Sequence, residues 1–160
     1  KASLKTQKIL LDIEDEDENI PLGLARLAMD IPPHELFFHI NTMNSFNFTR
    51  IDDLVYHGEY FEYHFPRFQA FHNDSKVCIH FIGNKCCHSK QKKIATELFS
   101  GEFENKYLLE HFQDVDYIIK TSEPFNDFSL ILLPENLMFQ IQDFTLSSEE
   151  ELYHIFQYYE

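Results

Sequence analysis

From residue 59 to 65 the side chains alternate, with Phe61, Tyr63 and Phe65 on one side and Tyr60, Glu62 and His64 on the other, which predicts a half-buried strand. A second short strand is expected at 68–71. After the turn chemistry of Asn73, Asp74 and Ser75, Val77, Ile79 and Phe81 alternate with Cys78, His80 and Ile82 to give a third. These read together as an antiparallel meander that Gly83 and Asn84 close. Upstream, Ile9 to Ile13 is strand-like, and Ile20, Leu22 and Leu24 recur at period two, so 20–29 fits a strand with a helix as its rival. Asp30, Pro32 and Pro33 then suit a helix start, and Leu36, Phe37, Ile40 and Met43 follow at helical spacing, predicting a helix over 33–44.

The second half is less regular. Residues 94–99 suit a further strand. Leu108, Leu109 and Phe112 behind Glu102 and Glu104 suit a helix, and 115–120 suits a strand. The stretch 125–133 fits either a helix led by Pro124 or the start of a hairpin turning at Pro134, Glu135 and Asn136, with 137–144 a strand in both cases. At the end, Ser147 or Ser148 with Glu150 or Glu151 forms a capping box, and Leu152, Ile155, Phe156 and Tyr159 draw one apolar stripe. Strands and helices without regular alternation predict one α+β domain over residues 1–160: a mainly antiparallel sheet covered by helices, with a C-terminal amphipathic helix.

Composition fills in this picture. Seventeen Phe and eight Tyr with no Trp supply bulky core side chains. Twenty-seven acids against thirteen Lys and Arg give a net charge of −14, a field that argues against nucleic acid and anionic membrane surfaces as partners. Six of the seven residues at 12–18 are acidic, and this run reads as a flexible segment; without it 21 acids still face 13 bases. Lys85, Lys90, Lys92 and Lys93 around His88 form the one basic cluster, read as a solvated loop. Three cysteines in a chain of this size do not make a disulfide framework, and no apolar run reaches the ~18 residues of a membrane span, so a cytoplasmic protein is expected.

Candidate chemistry is sparse. His34 and His39 lie five residues apart, about 140° around a helix, so one ion does not take both. Asp15, Asp17 and Asn19 begin a calcium-loop pattern that fails at Ile20, where glycine is needed, and at Arg26, where the bidentate glutamate belongs. Cys78, His80, Cys86, Cys87 and His88 fall within eleven residues and are the best metal candidates by ligand type, but spaced cysteine pairs are missing and buried thiols are the simpler reading. Cys87 with His88, or Cys78 with His64, are conceivable thiol–base pairs that no third group orients. Four glycines provide no phosphate-cradling loop, and no cofactor is expected.

Val115, Asp116 and Tyr117, following Leu109, Glu110 and His111, resemble the closing motif of the IPExxxVDY family of small uncharacterised bacterial proteins, with Leu109 in the leading Ile place. Glu110 and His111 depart from the Pro and Glu of that motif. The stretch from Ile20 to Asn41 and on through Arg50, Asp53 and Leu54 is similar to the same family's N-terminal half. The resemblance implies no activity. Asp116, at the entrance of a strand, is suited to receive backbone N–H groups as a structural tie.

The reading that follows is a non-enzymatic interaction module whose acidic surface meets a protein partner with a basic surface. The alternatives are a small hydrolase or transferase using histidine and carboxylate groups, and an aromatic-lined small-ligand binder.

Overall fold

The structure, a computed structural model, describes residues 19–92, 104–122 and 127–159. Seven strands form one sheet: β1 (Ile20–Ala25), β2 (Thr49–His57), β3 (Phe61–His72), β4 (Val77–Gly83), β5 (His88–Gln91), β6 (Tyr117–Thr121) and β7 (Gln142–Leu146). Their order is β2-β3-β4-β6-β1-β7, with β5 beside the first half of β3, and every one of these pairings is antiparallel. Helices α1 (Pro33–Met43) and α2 (Glu151–Tyr158) complete the α+β architecture. The expected cover of helices is thinner than the sequence implied: each face carries one short helix, and turns supply the rest.

The face under α1 is aromatic. Phe37 stacks on Phe68 with centroids 3.9 Å apart and meets Phe81 and Tyr117 edge-on at 5.5 and 5.6 Å. Leu36, Phe37 and Ile40 are the buried stripe of α1, each contributing about 2 kcal/mol through burial. The opposite face gathers Leu22, Leu24, Phe65, Ile118 and Leu146 against Leu152 and Phe156 of α2. Tyr159 fastens the end of α2 to β2: its hydroxyl accepts the Val55 N–H at 3.0 Å and donates to the Val55 carbonyl at 3.1 Å.

Several elements differ from the expectation, each for a physical reason. The strands at 59–65 and 68–71 are one strand, β3, because burial passes from Tyr63 and Phe65 on one face to Phe68 and Ala70 on the other. Pro66 stands at this crossover, between the stretch paired with β5 and the stretch paired with β4, and opposite the irregularity in β2 between Ile51 and Leu54. The basic loop contains β5. The helix expected around Leu108 and Phe112 is a chain of turns. Phe128–Leu130 is a single 3-10 turn, and the strand expected at 137–144 begins at Gln142. The capping box does not form: α2 starts after Glu150 without a side-chain cap, while Ser147 Oγ accepts the Glu149 N–H at 3.3 Å. The strands expected at 9–13 and 94–99, the acidic run at 12–18, and residues 125 and 126 of the ambiguous stretch lie outside the described residues.

Candidate functional site

The metal-candidate side chains are dispersed by the sheet. Cys78 and His80 lie on β4, half-buried, with the Cys78 N–H donating to Ser122 Oγ at 3.0 Å. Cys86 is buried, and its sulfur accepts the Lys106 N–H at 3.3 Å. Cys87 is exposed, and its Sγ lies 3.4 Å from the His64 carbonyl oxygen. His88 pairs with His64 across β3 and β5, the rings 5.4 Å apart. Among the described residues no group of three or more His, Cys, Asp or Glu side chains is arranged to hold a metal ion.

The histidines do not assemble a thiol–base pair either. His64 directs Nδ1 at Asp53, 3.5 Å away, and Nε2 at Glu62, 3.6 Å away, so both ring nitrogens point to carboxylates. Desolvation, followed by the Asp53 charge, pushes the Cys87 thiol up, which keeps it protonated rather than nucleophilic. His80 is pushed down to about 4 by burial and then by the Lys120 and Arg67 charges, so it is neutral beneath α2.

The corner that carries Val115, Asp116 and Tyr117 is tied from several sides. Asp116 Oδ2 accepts the Leu27 N–H at 2.7 Å, its backbone N–H donates to the Ala25 carbonyl at 2.9 Å, and its carbonyl accepts the Asn84 N–H at 3.0 Å. Burial raises the Asp116 carboxyl against the pull of the Leu27 N–H, and burial and then the Asp116 charge push the Tyr117 phenol up to about 12. Val115 is buried. A recess of about 230 Å³ borders Asp116, and the described residues around it include no histidine, serine, threonine or cysteine.

Two clefts lie elsewhere, on opposite faces of the sheet. On the α1 face an open cleft of about 680 Å³ has Phe128, Ile131 and Met138 in its floor and Asp127, Glu135 and Asp143 around it. None of its described lining residues is Lys, Arg or His. Gly23 lets this floor form: a Cβ there would sit 2.8 Å from Ile141 Cγ2, so only glycine allows Ile141 to lie across β1. Phe139, at the rim, is 58% exposed. On the α2 face a cleft of about 420 Å³ lies between the turns at 106–112 and α2, with Leu108, Phe112, Phe144 and Ile155 as its apolar wall. Among the described residues its acids are Glu110, Glu150 and Glu151 and its basic groups are His111 and Lys106; Lys106 is 3.8 Å from Glu110 and lies over the Tyr56 ring at 4.6 Å.

Sequence reasoning did not single out either cleft. Their carboxylates are spread over residues 110–151 and converge only because β7 returns along β1. The exposed Phe139 beside Gln140 was the available signal, and it was absorbed into an expected strand. In comparisons with family models, curated proteins and solved structures, no match to this chain was found. No helix among the described residues is long and apolar enough to cross a membrane.

Proposed function

We propose that the protein is an interaction module that binds a basic, partly apolar peptide segment of another protein. The observation that carries this reading is the 680 Å³ cleft, whose apolar floor is ringed by three carboxylates with no basic side chain among its described lining residues. Such a site favours a ligand that brings Lys or Arg together with apolar side chains, since the carboxylates supply charge complementarity and the floor supplies burial. The net charge of −14 steers the same class of partner towards the surface and away from nucleic acid. The hydrolase reading has less support: His111 lines the 420 Å³ cleft but, among the described residues, no carboxylate hydrogen-bonds or pairs with it, and burial raises rather than lowers the Cys87 thiol. Kinship with the IPExxxVDY proteins, resting on Val115, Asp116 and Tyr117 and on the N-terminal half, is part of the same proposal and brings no activity with it.

The test is fluorescence anisotropy with two labelled peptides of about seven residues, one repeating Lys-Lys-Leu-Leu and one repeating Glu-Glu-Leu-Leu, so that each face of an extended peptide carries both residue types. The reading expects saturable binding of the Lys peptide that weakens as salt rises, and none of the Glu peptide. Absence of Lys-peptide binding, or equal binding of both, overturns it.

A further inference from the structure

The two clefts share a border. β7 is the last strand of the sheet and, among the described residues, pairs only with β1, through Ile20↔Leu146 to Leu24↔Gln142. Its side chains alternate between the faces: Asp143 lines the 680 Å³ cleft, whereas Phe144 and Leu146 line the 420 Å³ cleft. One edge of the sheet is therefore flanked on both faces by an apolar cavity with carboxylates at its rim.

From this arrangement we infer that the partner binds as an added β-strand along β7, its alternate side chains entering the two clefts. An extended peptide sends successive side chains to opposite faces, so one strand fills both cavities from a single backbone track. The five residues of β7 span about 17 Å, enough for a peptide of roughly five to seven residues. Main-chain hydrogen bonds to the β7 edge then supply affinity without sequence preference. The clefts supply the preference: basic side chains that reach the carboxylate rims and apolar ones that reach the floors, on each face. A second copy of this chain is the weaker occupant, because pairing β7 with β7 would bring two chains of net charge −14 together and face Asp143 with its own counterpart's acids.

This inference rests on the peptide-binding reading above, and the experiment separates the two. The Lys–Leu peptide is made in two forms, N-methylated on its odd or on its even residues, and each is titrated into the full chain while the backbone amides of β7 are followed by NMR. Strand addition uses the N–H groups of every other peptide residue, so one form should lose about tenfold or more in affinity and the other should bind nearly as the parent does. Contacts from the peptide backbone to 142–146 should appear with the parent. If the parent binds and both methylated forms bind equally, strand addition is wrong and the peptide-binding reading stands. If the parent does not bind at all, both fall. A mass measurement that shows dimers dissolving on peptide addition would assign the edge to a second copy and overturn the inference as stated.

Discussion

The side-chain oxygen of Asn84 accepts the N–H of Leu109 at 2.8 Å, and this bond holds the turn-rich stretch 106–116 against the end of β4. The same side chain donates to the carbonyls of Phe112 at 2.9 Å and Val115 at 3.0 Å, while its backbone pairs with Asp116 and Leu108. Asn84 is fully buried, and both its side-chain N–H groups and its side-chain oxygen are hydrogen-bonded. It substitutes for the intrahelical bonds that the apolar spacing of Leu108, Leu109 and Phe112 led one to expect, which is why that spacing ends in turns.

Asn84→Ala removes three side-chain bonds and leaves buried backbone groups unpaired, so a loss of about 3 kcal/mol is expected in a urea titration. Asn84→Asp retains the acceptor for Leu109 but has no donor for the two carbonyls, and should be at least as damaging. Equal stability of Asn84→Ala and the parent would contradict this account of the turns.

Gly83 faces Pro66 across β4 and β3. A Cβ at Gly83 would lie 2.6 and 2.8 Å from the Cγ and Cδ of the proline ring, which has no rotamer with which to withdraw. Gly83→Ala should therefore cost about 2 kcal/mol through overpacking. Pairing it with Pro66→Ala should recover much of that loss in a double-mutant cycle.

His80 sets a pH dependence. Its native pKa of about 4 lies below the ordinary value of 6.5, so between these limits the unfolded chain binds the extra proton. Stability is complete above pH 6.5 and falls as pH drops towards 4. Lys120 and Arg67 face it from β6 and β3, and Tyr159 closes the site from the end of α2. His80→Gln should flatten the difference in unfolding free energy between pH 7 and 5 by about 1 kcal/mol, a figure already reduced for solvent screening of a half-buried group. Unchanged pH dependence would contradict the placement of His80.

Cys87 is exposed yet has a raised pKa, so exposure and reactivity part company. Iodoacetamide at pH 7 should modify it more slowly than an unperturbed thiol, as read by mass spectrometry of the Cys87 peptide. Faster modification would restore the thiol-nucleophile reading.

Much of the sheet was legible from period-two spacing: β4 alternates in burial from Val77 to Phe81, and β1, buried on both faces from Leu22 to Ala25, still spaces Ile20, Leu22 and Leu24 two apart. The helix at 33–43 and the C-terminal helix were legible from apolar stripes at helical spacing. β2 was not: it is an edge strand whose one buried residue is Leu54, and the irregularity around Asp52 and Asp53 breaks its alternation. The turns at 106–116 were misread because their order comes from Asn84, more than twenty residues earlier. The clefts were invisible for the same reason, since adjacency of β1, β6 and β7 is a tertiary fact with no local signature.

The most direct test of the central claim is a titration of the Lys–Leu peptide into Glu135→Lys/Asp143→Lys, compared with Asp74→Lys/Glu59→Lys, which makes the same change in net charge away from the cleft. The account predicts about tenfold weaker binding, or more, for the cleft variant and near-parental binding for the control. Equal weakening of both would mean that the peptide follows net charge alone, and the cleft would lose its claim to be the binding site.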